Sequence, residues 1–130
     1  MIKCTTILLI YIMHIPANAQ HHSVTKESLL TSGESLASEM GKTYQLAQNC
    51  NQDLDNISAP RANTLFLNYL KEHEVKIVMK QYKYSIAQEK GKSCNLEAIK
   101  VHILMRNIAS FIRLASRSQK IISKKQLKEK

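Results

Sequence analysis

Leu29, Leu36, Met40, Tyr44 and Ala47 recur at steps that return to one face of a helix, with polar residues filling the positions between them. The spacing predicts a first helix from about Ser23 or Thr31 to Cys50. Thr31-x-x-Glu34 has the form of a capping box. Gly33 and Gly41 interrupt the pattern. Each lowers helix propensity by about 1 kcal/mol relative to alanine, so either a kink or a late start is expected in this helix.

Asn51 to Pro60 is polar, rich in turn formers and closed by proline, and reads as a loop. Ser58 is placed to cap the next helix, with Pro60 in its first turn. From about Arg61 to Lys90, Val75, Met79, Tyr82 and Ile86 form one apolar seam, and Leu65, Phe66 and Tyr69 an earlier patch. The seam suits a dimer contact as well as a core. Lys71-Glu72-His73-Glu74 breaks the apolar stripe, so this stretch reads as one helix or as two meeting there. Gly91 is a natural stop.

A third helix, capped by Ser93 or Asn95 and reaching at least Ser116, carries Val101, Leu104, Ile108, Phe111, Ile112 and Ala115 on one face. Ile99 and Ile103 widen that face, which makes this helix the expected centre of the bundle. No stretch alternates as a strand would. The predicted fold is all-α: a small antiparallel three-helix bundle, or four helices if the chain breaks near Lys71–Glu74.

Ahead of the helices the pattern changes. Lys3 precedes an uncharged, largely apolar run from Cys4 to Ile15, then Pro16 and the small-x-small sequence Ala17-Asn18-Ala19. This is the form of a cleaved secretory leader. A membrane span needs about 20 apolar residues, and this run ends well short of that. The expected division is a leader over 1–19, a helical domain over 20–117 and a basic tail over 118–130, in a periplasmic or secreted protein that is not membrane-spanning. Loss of Cys4 leaves Cys50 and Cys94, which have one pairing open to them in an oxidising compartment. Closing so long a loop stabilises a fold by about 4 kcal/mol. Two isolated cysteines do not have zinc-site spacing, and no C-x-x-C pair is present.

Charge adds an asymmetry. The formal net charge of +9 falls to +8 without Lys3. Residues 20–60 carry Lys26 and Lys42 against five acids, whereas residues 101–130 carry eight Lys or Arg against Glu129. On a continuous helix Arg106, Arg113, Arg117, Lys120, Lys124 and Lys128 form a stripe opposite the apolar face. It reads either as a solvated face running into a frayed tail or as a docking surface for an anionic target: a membrane surface, an envelope polymer or an acidic protein patch. Nucleic acid is not expected, because the tail offers no aromatic platform and export separates the two. Lys76, Lys80 and Lys83, beside Tyr84, read as a solvating cluster.

Candidates for chemistry are sparse. A chain beginning Gln20-His21-His22 would offer its amine, two backbone nitrogens and the His22 imidazole to square-planar Cu(II) or Ni(II). Cyclisation of Gln20 would block the amine. Glu72-His73-Glu74 falls short of a zinc-protease helix, because Ile77 stands where the second histidine is required. Glu72 is placed instead to pair with Lys76. His102 reads as a core-edge histidine. There is no glycine-rich phosphate loop and no G-x-S-x-G turn. Asn56-Ile57-Ser58 has the form of a glycosylation acceptor. The expected function is therefore a non-enzymatic exported interaction module without a cofactor. The alternatives are a periplasmic stress chaperone and a secreted helical signal of the cytokine kind. The last ranks third, because up-up-down-down bundles need long crossovers.

Overall fold

The computed structural model describes residues 25–129. The leader over 1–19 and the metal-binding candidates Gln20, His21 and His22 lie outside the described residues. Four helices follow: α1 (Lys26–Asn49), α2 (Ala59–Leu67), α3 (Glu72–Glu89) and α4 (Val101–Lys128). Short 3-10 turns at Asp55–Ile57 and Leu96–Ala98 precede α2 and α4. The all-α bundle matches the expectation, in its four-helix form.

The start of α1 is set by Thr25, not by Thr31. The Thr25 hydroxyl accepts from the Ser28 backbone N–H at 3.1 Å, and the Ser28 hydroxyl donates to the Thr25 carbonyl at 2.8 Å. This satisfies one of the amides that every helix start leaves orphaned. Thr31 lies inside the helix and donates to the Glu27 carbonyl at 3.0 Å. The helix runs without interruption through both glycines.

The chain does break at the charged cluster, between Leu67 and Glu72. The Lys71 backbone N–H donates to Glu74 Oε2 at 2.8 Å, so Glu74 reaches back to stabilise the new helix start. Lys26 Nζ lies 3.4 Å from the same carboxylate. Glu74 is thereby buried with a charge partner and a backbone donor, the condition under which a buried carboxylate is tolerated.

Neither Ser93 nor Asn95 caps the last helix, which begins at Val101 after Lys100. Cys50 and Cys94 form a disulfide with their Cα atoms 4.7 Å apart, so the chain after α3 is held at the end of α1. Residues 95–100 then carry it to the position from which α4 descends. The link between α3 and α4 is therefore longer than the sequence pattern implies.

Consecutive helices alternate in direction. Lys26 meets Glu74 near the starts of α1 and α3, and the Asn49 amide donates to the Glu89 carbonyl at 2.8 Å near their ends, so these two run parallel. The short α2 descends between them. On α4, Asn107 meets Glu39, while Ser118 and Ile122 share a groove with Leu29, so α4 runs antiparallel to α1.

The centre of the bundle is α1, not α4 as the width of its apolar face implied. Ser38 and Ser85 of α3 share a hydrogen bond of 2.7 Å, and the adjacent Glu39 accepts from Asn107 of α4 at 2.8 and 3.0 Å. Neighbours in a helix point about 100° apart, so α3 and α4 lie on different sides of α1. Phe66 of α2 meets Phe111 of α4 edge-on at 5.5 Å between centroids, and Tyr69 adds a second edge contact at 6.1 Å. Val75, Met79 and Tyr82 are buried, with Ile86 packed against the core, so that seam serves the interior and not a dimer. No helix among the described residues is long and apolar enough to cross a membrane.

Candidate anion-binding face

The basic stripe is built by one element. Leu104, Phe111, Ala115 and Ser118 are buried on one side of α4, which turns the opposite side to solvent. From Gln119 onward every described residue is exposed, yet the helix continues to Lys128, through the segment expected as a basic tail. Arg106, Arg113, Arg117, Lys120, Lys124 and Lys128 are all exposed. They fall within an arc of about 80° and extend along about 33 Å of helix.

None of the six has a carboxylate partner among the described residues. The ion pairs use other groups: Lys26–Glu74, Arg61–Asp55, Lys76–Glu72 and Lys92–Glu89. Arg113 donates to Ser110 Oγ at 3.1 Å, a bond along its own helix. Arg113–Arg117, Lys120–Lys124 and Lys124–Lys128 are like charges one turn apart. Such pairs destabilise a helix by about 0.2–0.5 kcal/mol each. The helix dipole accounts for the lysines in the last turn, Lys125 and Lys128, because cations there meet its negative end. That effect fades within a turn, so it does not account for Arg106, Arg113 or Arg117.

Two grooves flank this helix. One of about 350 Å³ runs between α1 and α4, lined by Ser32, Ser35, Glu39, Asn107 and Ser110. The other, of about 360 Å³, lies where α4 leaves the bundle and is lined by Leu29, Leu67, Leu70, Glu74 and Ile122. Beyond it Ile121, Ile122 and Leu127 are exposed on the overhanging helix.

The remaining candidates disperse. His73 and His102 are exposed on different helices, and His102 stands opposite the buried face of α4 and not at a core edge. Glu72 pairs with Lys76 at 3.4 Å, as the spacing predicts. Lys76, Lys80 and Lys83 lie on the outer face of α3 with Ile77 and Tyr84. Among the described residues no three of His, Cys, Asp and Glu converge to hold a metal. Tyr82 is pushed well above the ordinary phenol range, by burial first and by Tyr44 second. Its hydroxyl donates to the Ile57 carbonyl at 2.8 Å, a structural bond remote from the stripe. Sequence reasoning missed this bond and the Glu39–Asn107 link, since nothing in helical periodicity pairs residues so far apart in the chain. Comparison with family models, curated proteins and solved structures gives no match for this chain.

Proposed function

We propose that this chain is a small exported, non-enzymatic interaction module that binds an anionic partner along the outer face of α4. One observation carries the reading: six exposed cations share a stripe about 33 Å long, and none of them is paired with a carboxylate among the described residues. The repulsion within that stripe is relieved when an anionic surface supplies the counter-charge, and the field steers encounter with such a partner. The disulfide and the leader-like N-terminus support an extracellular or periplasmic setting.

The test is retention of the purified protein on a polyanionic matrix and capture of its partner at physiological salt. Reversing Arg113, Lys120 and Lys124 to glutamate should abolish both while leaving the helical circular dichroism unchanged. Equal retention and capture by the reversed variant would refute the reading. Binding should also weaken steeply with added salt, because exposed charges are screened over about 8 Å at physiological ionic strength.

A holdase is the second reading, favoured by exposed Ile121, Ile122 and Leu127 beside the groove at Leu67 and Leu70. It requires that the protein suppress aggregation of an unrelated client, and that polar substitution of those three residues remove the effect.

A further inference from the structure

Asn56-Ile57-Ser58 supplies what asparagine-linked glycosylation needs: an amide to be modified and a hydroxyl two residues on to engage it, with no proline between. Such triplets also arise by chance, and asparagine and serine have ordinary uses in turns. The structure tests those uses. Turn asparagines commonly bond their own backbone, but the Asn56 side chain is exposed and makes no hydrogen bond among the described residues. Serine at a helix start normally caps the first amides. Ser58 occupies that position for α2, yet its side chain caps nothing. Both functional groups of the triplet are thus free of the structural work that usually explains them.

The residue between them behaves in the opposite way. Ile57 is 3% exposed, and its carbonyl accepts the Tyr82 hydroxyl at 2.8 Å. The Ser58 backbone N–H donates to the Asp55 carbonyl at 3.0 Å, closing the turn. The back of the turn is therefore pinned to α3 while Asn56 faces solvent at its front, where a bulky polar group meets no packed surface. The backbone neighbours of the turn come from α1 and α2, so a substituent here leaves the outer face of α4 open.

We propose that Asn56 is a glycan acceptor, modified as the chain passes through a secretory route whose donor is a lipid-linked oligosaccharide diphosphate. The Asn56 amide nitrogen attacks the anomeric carbon, and a carbon–nitrogen bond forms there. The carbon–oxygen bond to the diphosphate breaks, its electron pair leaves with the lipid diphosphate, and the amide proton passes to a base of the transferase. Nothing is oxidised or reduced. Asn56 and Ser58 supply the acceptor; the transferase supplies catalysis.

The experiment is translation of the full chain with eukaryotic microsomes, once with its own residues 1–19 and once with a well-characterised secretory leader in their place. The translocated product should carry one upward mass step that glycosidase removes. Asn56→Gln and Ser58→Ala should abolish the step, and Ser58→Thr should retain it. A protease-protected product without the step under either leader overturns the assignment, as does a step that survives Asn56→Gln. Modification under the substituted leader alone supports the acceptor and refutes the native leader, so the two readings fail separately.

Discussion

At the scale of single residues, a close approach between two helices depends on the absence of a side chain. A Cβ built on Gly41 would overlap the carbonyl oxygen of Tyr82, so α1 and α3 meet backbone to backbone there. The sequence pattern marks Gly41 as a weak point of the helix; the structure makes it the site that permits the parallel pair to close. Gly41→Ala gains about 1 kcal/mol of helix propensity and must displace a backbone to do so. Overpacking of this kind typically costs about 1–3 kcal/mol, and here the obstructing atom is rigid. Chemical denaturation should therefore show a clear loss of stability, whereas a gain would mean that the two helices are farther apart. Tyr82 bears on pH in a similar way. Its phenol is held protonated in the folded state, above the usual value of about 10. Stability from this group is full below that ordinary value and is lost as pH rises beyond it, since the unfolded chain then releases a proton that the folded chain keeps. Tyr82→Phe leaves the Ile57 carbonyl without its donor and should cost about 1–3 kcal/mol at neutral pH. The variant should also lose stability less steeply than the parent in denaturation at alkaline pH; parallel curves would contradict the assignment.

At the scale of helices, periodicity revealed which residues are core and where α2 and α3 begin, but not where α4 begins or which helix is central. The seam Val75–Met79–Tyr82–Ile86 and the face Leu104–Phe111–Ala115 were legible because burial imposes the helical period directly. The start of α4 was not, because a disulfide at Cys94 and the turn at Leu96–Ala98 hold those residues, a constraint that propensity does not contain. Centrality was misleading for a related reason. The broad apolar face of α4 leaves Val101, Ile108 and Ile112 only half-buried, while α1 buries glycines and alanines that score weakly as hydrophobic. The stripe itself was fully legible, since a helix fixes the angular positions of its residues. Its far end separates stability from binding. Gln119–Glu129 are exposed, so truncation after Gln119 removes little buried area and should shift the thermal midpoint by only a few degrees. The same truncation removes Lys120, Lys124 and Lys128 and should lower retention on a polyanion sharply. A truncated protein that melts much earlier would show that the overhang packs on the bundle.

For the molecule as a whole, the disulfide and the compartment stand or fall together. Domains of this size are stable by about 5–15 kcal/mol, and the chain-entropy contribution of the Cys50–Cys94 bridge, with its sequence separation of 44, is about 4 kcal/mol. The segment it anchors has little else to hold it, because Lys90–Glu97 are exposed throughout. Reduction should therefore lower the thermal midpoint by about 15 °C, and the Cys50→Ser/Cys94→Ser pair should reproduce the shift without reductant. A fold that depends this much on a bridge is poorly suited to a reducing cytosol, which is the physical link between the clasp and the leader-like N-terminus. Intact mass of the protein from its native source reads both. The expected species begins at Gln20, allowing for cyclisation of that residue and for a glycan at Asn56, and gains two hydrogens on reduction. A chain that retains residues 1–19 with both thiols open to alkylation under native conditions would place it in a reducing compartment and remove the basis for export.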